Sequence, residues 1–151
     1  MPDQAGLAVV DASVVLKWQF DDEEDVAQAV ALRDDFYLHG TISLIAPQLL
    51  MYEVANGVAV ALKRKRIARD KAIEAMSNLV ALGVELRVVE PLPILELALQ
   101  YDLAAYDSAY LALACAENCD LWTGDKTFYQ TLKGKSLLVK WIGDYPGESS
   151  H

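Results

Sequence analysis

Apolar positions along the chain switch repeatedly between two periods. "LAVV" (7–10) is a short apolar run with strand character, and "ASVVL" after Asp11 continues as an apolar helix. "EDVAQAVALRDDFYLHG" (24–40) alternates as an amphipathic helix ending near Gly40. "ISLIA" (42–46) is strand-like and stops at Pro47. A long helix is predicted over 47–66, with the proline in its first turn, and another over 69–82, stopping at Gly83. "LRVVE" (86–90) reads as a strand, and Pro91 and Pro93 open a helix near 92–101. A further helix fits 106–118. "DLWT" (120–123) is a short strand, Gly124 turns it into a short helix, and "SLLVKWI" (136–142) is the last strand.

Strands that alternate with helices make βαβ units, and βαβ units make a parallel sheet covered on both faces. The strands are almost wholly apolar, as doubly covered strands must be. The expected architecture is an α/β three-layer α/β/α sandwich with a short, mainly parallel sheet of about five strands. At 151 residues the chain is expected to form one domain over 1–151, with a frayed tail over 146–151.

Composition narrows the class. With 54% apolar and 23% charged residues the chain is globular, not disordered. The most apolar stretch, "ISLIAPQLLMYEVANGVAVAL", is broken by Pro47, Gln48, Glu53 and Asn56, so no membrane span is expected. "MPDQAG" lacks the basic and apolar blocks of a signal peptide, and a cytoplasmic location is the expectation. Cys115 and Cys119 lie four apart in an apolar helical stretch. They are expected to be buried structural thiols on one helix face, because the two histidines, His39 and His151, are remote in sequence. The net charge is −9, whereas nucleic-acid binders are usually basic. An excess of acid is equally the mark of a cation site.

The spacing of the charges is more informative than their sum. Between Gln4 and Leu16 the only ionisable side chain is Asp11. Between Thr41 and Leu62, Tyr52 aside, it is Glu53, and between Leu103 and Ala116 the only strong charge is Asp107. Asp125 follows a strand in "LWTGDKTF". Singly, each has an ordinary explanation. Asp11 and Asp125 can be helix N-caps, Asp107 can complement a helix dipole, and Glu53 can be a half-exposed helix residue. Jointly, they share one end of the predicted sheet. Asp11 and Asp125 follow strands, Glu53 and Asp107 lie near helix starts, and crossover helices begin where strands end. That edge, at a switch in strand order, is where open α/β sheets bind ligands.

Four carboxylates in one cleft repel one another, and some must take up a proton unless a cation sits among them. Mg²⁺ or Mn²⁺ suits an all-oxygen set with no competing His or Cys. Ser13, Asn56, Ser108 and Thr123 are small polar neighbours able to orient carboxylates or waters, and Gly57 and Gly124 allow close backbone approach. The matching substrate chemistry is a phosphodiester, with Glu53 or Asp125 the candidate acceptor of the attacking water's proton.

"VVDASVVLKW", "PQLLMYEVANGV", "YDSAYLALA" and "LWTGDKTF", in this order and spacing, resemble the acidic motifs of PIN-domain ribonucleases, most closely VapC-type toxins of toxin–antitoxin pairs. The resemblance runs from Val9 to about Trp141. It implies a Mg²⁺- or Mn²⁺-dependent endoribonuclease using one or two ions. It also implies metal-binding carboxylates at Asp11, Glu53, Asp107 and Asp125, with Asp11 and Asp107 central and Thr123 as the small hydroxyl residue before the last acid. Further implications are an RNA substrate, a homodimer, and a small antitoxin of VapB type that covers the cleft.

Basic residues that could contact phosphate are Lys63, Arg64, Lys65, Arg66 and Arg69 in "KRKRIAR", or they complement a helix C-terminus. Lys17 and Lys126, close in sequence to Asp11 and Asp125, are the better-placed pair to meet a scissile phosphate. Trp18 and Phe20 are read as core or partner-facing, with base stacking as the alternative. Three other functions compete. One is a PIN-type RNA-processing nuclease without an antitoxin. Another is a haloacid-dehalogenase-like phosphatase, which would want a second acid where Ser13 stands. The third is a non-catalytic RNA-binding module.

Overall fold

The computed structural model describes residues 6–147. Strands β1 (Gly6–Val10), β2 (Ile42–Pro47), β3 (Glu85–Arg87), β4 (Asp120–Thr123) and β5 (Val139–Trp141) form one sheet in the order β3-β2-β1-β4-β5, and every pairing is parallel. Helices α1 (Ala12–Lys17), α2 (Val26–Tyr37), α3 (Leu49–Lys63), α4 (Arg69–Ala81), α5 (Pro91–Tyr101), α6 (Ala105–Glu117) and α7 (Lys126–Leu132) make the connections, and a 3₁₀ turn spans Ile142–Asp144. The chain steps outward from β1 to β3, then returns past β1 to β4 and β5. With right-handed crossovers, that reversal puts helices on both faces of the sheet. The α/β sandwich and its five-stranded parallel sheet are as expected.

The core lies on the two faces of the central strands. Ala8, Val9 and Val10 of β1 and Leu44, Ile45 and Ala46 of β2 are all buried. Helix α6 is the most enclosed helix, with an unbroken buried run from Ser108 to Ala114. Trp18 and Phe20 are core residues, and the indole N–H of Trp18 donates to the carbonyl of Ala29 at 2.8 Å. That contact fixes α1 against α2, and Phe20 packs separately with Val58, Ala61 and Ala72.

Several boundaries differ from the sequence pattern for local reasons. Pro47 ends β2 opposite Arg87 instead of opening a helix; a proline is tolerated at a strand end, and Gln48 N–H takes over the bond to Arg87 O at 3.2 Å. The helix expected over 24–40 starts at Val26, because Asp25 takes a left-handed conformation (φ 59°). The strand expected over 86–90 is only Glu85–Arg87, and the one expected over 136–142 only Val139–Trp141. The cysteines correct the reading most. Cys115 is exposed and Cys119 half-buried, both are free, and Asn118 ends α6 between them in a left-handed turn (φ 50°), so they do not share a helix face. Of the tail expected to fray, 148–151, with His151, lie outside the described residues.

Candidate active site

Asp11, Glu53, Asp107 and Asp125 line one cavity of about 580 Å³. Asp11 follows the last residue of β1, and Asp125 follows β4 by two residues; these are the adjacent strands between which the strand order reverses. Glu53 stands in the second turn of α3, and Asp107 in the first turn of α6. The parallel topology therefore brings positions far apart in sequence to the carboxyl edge of the sheet.

Asp11 is the most constrained of the four. Its carboxylate is buried, and three donors hold it. Ser13 Oγ donates to Oδ1 at 2.6 Å, Val14 N–H to the same oxygen at 3.2 Å, and Thr123 Oγ1 to Oδ2 at 2.5 Å. The bond from Val14 is also the N-cap of α1, so Asp11 is a helix cap as well as a cleft residue. Ser13 Oγ in turn accepts from Gly124 N–H at 2.7 Å, and Thr123 Oγ1 accepts from Asp125 N–H at 3.0 Å. These two hydroxyls lock the β1 and β4 turns together. Asp125 caps α7 by accepting from Phe128 N–H at 3.1 Å, but its carboxylate stays exposed to the cleft.

The electrostatics reflect crowding by like charge. Burial pushes the Asp11 carboxyl up to about 6, against the lowering by Ser13, Thr123 and Val14 and with a further rise from Asp125. Burial also raises Asp107, and the charges of Asp125 and Glu53 add to the rise. No lysine, arginine or histidine lines the cavity among the described residues. Nor do three acidic, histidine or cysteine side chains close into a preformed cage there. An open, oxygen-only, mutually repelling set fits a hydrated hard cation, which retains several of its waters, better than it fits zinc.

The small polar residues divide. Ser13 and Thr123 bind Asp11 directly. Among the described residues, Asn56 lines the cavity but is hydrogen-bonded to none of the carboxylates, and the fully buried Ser108 Oγ has no partner. Gly57 and Gly124 are close-packed: a Cβ would meet Leu16 Cδ1 at 2.6 Å and Lys17 Cε at 2.7 Å, respectively.

The expected phosphate-binding lysines are not at the cleft. Lys17 is buried, donates to the carbonyl of Glu24 at 2.7 Å, and lies 3.6 Å from the Glu23 carboxylate. A residue six positions after Asp11 has simply rotated away along α1. Lys126 is exposed and faces Glu24 at 3.5 Å. In the basic run after α3, Lys63, Arg64, Lys65 and Arg69 are exposed. Arg66 pairs with Asp22 at 2.7 Å and covers the Phe20 ring at 4.9 Å.

Tyr110 escaped the sequence reading. Its ring is buried in α6, and its hydroxyl donates to Glu53 Oε1 at 2.6 Å. Burial, and then that contact with Glu53, push the phenol well above its usual range, so it stays a donor. The available signal was its spacing: three residues after Asp107, it lies on the same helix face.

A parallel α/β sheet with a cluster of carboxylates at its switch point belongs to a class of ligand-binding sheet edges with many members. Sequence comparison narrows it: the model of the PIN domain matches residues 8–133, and the chain belongs to that family. PIN domains are nucleases, and they generally use divalent metal ions. The membership leaves the dehalogenase-like phosphatase without support.

The fold is similar to PAE2754 from Pyrobaculum aerophilum, with TM-score 0.63, 20% identity and 92% of each chain covered. It is also similar to VapBC2 from Rickettsia felis, solved bound to a DNA fragment from their promoter, with TM-score 0.58, 12% identity, and 89% of this chain and 98% of that one covered. At these identities the likeness is one of fold. A search of curated proteins finds no match. No helix among the described residues is long and apolar enough to cross a membrane.

Proposed function

We propose that the protein is a metal-dependent endoribonuclease that hydrolyses RNA phosphodiester bonds, and that it is the toxin of a toxin–antitoxin pair. One observation carries the nuclease reading: four carboxylates from four separate elements meet in one cleft at the strand-order switch. Asp11 and Asp107 would be the central ligands of Mg²⁺ or Mn²⁺, with Glu53 and Asp125 completing the set. When bound, one or two such ions would polarise the phosphoryl group and lower the pKa of an attacking water. The chain's own groups supply the remainder. Ser13 and Thr123 aim Asp11, Tyr110 holds one oxygen of Glu53, and Glu53 or Asp125 takes the proton from water.

The toxin role, and a small VapB-type antitoxin as partner, take their support from the fold shared with VapBC2. A cytoplasmic site of action belongs to the same reading. We assign homodimer formation to α5. This apolar helix has no buried residue, and Leu92, Leu95 and Leu99 are exposed along it.

Purified protein, free of contaminating nuclease, should cut RNA with Mn²⁺ and stop with a chelator, and Asp107→Asn should cut nothing. Cleavage that survives the chelator, or that the variant retains, would overturn the site.

A further inference from the structure

The cleft poses a binding problem for a polyanion. Four carboxylates line it, no basic side chain among the described residues does, and the chain carries a net charge of −9. Of the two lysines near the acids in sequence, Lys17 is buried and engaged with Glu23 and Glu24, and Lys126, next to Asp125, is exposed outside the lining with Glu24 at 3.5 Å. Proteins that grip nucleic acid through phosphates need lysines and arginines at the strand. Among the described residues, this lining offers a phosphate no full positive charge of its own.

Two tyrosines in the lining offer another source of affinity. Tyr52 on α3 is 76% exposed, and Tyr106 on α6 is 64% exposed. Both are in the first turns of their helices, and each directly precedes a cleft carboxylate, Glu53 and Asp107. Among the described residues, neither ring stacks on another aromatic side chain, and neither hydroxyl is hydrogen-bonded. An aromatic ring left open beside an acidic centre exposes apolar area that a base could cover, and tyrosine loses little side-chain entropy when it does.

We infer that Tyr52 and Tyr106 are the substrate-gripping residues of the cleft, stacking on unpaired bases that flank the scissile phosphate. This rests on the nuclease reading and adds to it the source of RNA affinity: ring stacking in place of ionic contact. Stacking tolerates any base, so the two rings grip the strand without reading its sequence. It requires the bases to be splayed out, which a closed duplex does not allow.

The test uses the full chain, Mn²⁺ and a short single-stranded oligoribonucleotide, with binding followed by fluorescence anisotropy and cleavage by gel. Tyr52→Ala and Tyr106→Ala should each weaken binding and raise KM about tenfold. Tyr52→Phe and Tyr106→Phe should stay near wild type, and an abasic nucleotide at the stacked position should cost the wild type the same factor while costing the alanine variants little. The Mn²⁺-induced rise in melting temperature should be unchanged in all four variants, which separates loss of grip from loss of the metal site. Alanine variants with wild-type binding overturn the proposal. So do phenylalanine variants as weak as alanine, or a tyrosine whose loss changes the native mass instead of RNA affinity. If the wild type binds RNA without cutting it, the nuclease reading fails while the tyrosines are still judged by binding. If it does neither, both fail.

Discussion

The hydroxyl of Thr123 donates to Asp11 Oδ2 at 2.5 Å, joining the ends of two adjacent strands across 112 positions of sequence. The same oxygen of Thr123 accepts from Asp125 N–H. One buried hydroxyl therefore sets the aim of the central carboxylate and the entry into the helix that carries the last one.

Thr123→Val removes both roles while keeping the side chain's shape. It should destabilise the protein by about 1–3 kcal/mol in urea unfolding, since it leaves one oxygen of a buried carboxylate and one N–H without a partner. Thr123→Ser should recover most of the loss. A valine variant as stable as wild type would show that the hydroxyl bears no structural weight.

The raised carboxyl of Asp11 makes a signed prediction about pH. Its value is 3.8 when unfolded and about 6 when folded, so the metal-free native state binds the proton more tightly. Stability from this group is complete below about pH 4 and is lost as pH rises through 6, by about 3 kcal/mol. Asp107 shifts the same way. Without metal, melting temperature should fall between pH 4 and pH 7. With Mn²⁺ that fall should shrink, and metal affinity should weaken below about pH 6 as protons compete for the site. Calorimetry across this range checks both signs.

Asp11→Asn follows from the same electrostatics. The amide can still accept from Ser13 and Val14 and can donate to Thr123, so the cap survives. At pH 7.5 the metal-free variant should be at least as stable as wild type, yet gain no stability from Mn²⁺ and cut no RNA. A variant that unfolds instead would mean that the charge itself holds the β1 turn.

Tyr110→Phe isolates the bond to Glu53. The loss should be about 1 kcal/mol in stability, because Glu53 is half-exposed and water can replace the phenol. The effect on Mn²⁺ binding should be larger in proportion, since a freed Glu53 must be ordered again. Equal metal affinity in the variant would remove Tyr110 from the site.

Leu95→Glu with Leu99→Glu tests the exposed face of α5. Neither leucine is buried in the single chain, so the fold should hold. Light scattering should then report a dimer for wild type and a monomer for the variant.

The sheet and the meeting of the acids were legible in the sequence for one physical reason. A parallel strand fixes which end of the chain segment faces the cleft, and an isolated carboxylate in an apolar run marks where that end lies. Asp11 at a strand end and Glu53 and Asp107 at helix starts needed nothing more, and Asp125, beside Lys126, was placed by the strand before it. Proximity in sequence misled where helix rotation intervened. Lys17 is six residues from Asp11, yet its ammonium turns beneath Gly124 to Glu24. Tyr110 was hidden because its ring obeys the apolar period of α6, and periodicity is blind to a hydroxyl at the tip. Pro47 was misread because a proline suits a strand's end as well as a helix's first turn. Cys119 was misplaced because a single left-handed residue, Asn118, stops α6 two residues after a smooth apolar run ends.

The distance in sequence between Asp11 and Thr123 has a consequence for when this protein becomes chemically competent. During synthesis β1 is made before its neighbour β4, whose Thr123 follows Asp11 by 112 positions. Until then Asp11 lacks the hydroxyl that holds Oδ2, and the cleft lacks Asp125. A translating ribosome thus carries a chain whose acids cannot yet be gathered, and the centre assembles only once β4 and Asp125 have been made. A member of a nuclease family gains, from strand order alone, a delay between the making of Asp11 and the completion of its cleft.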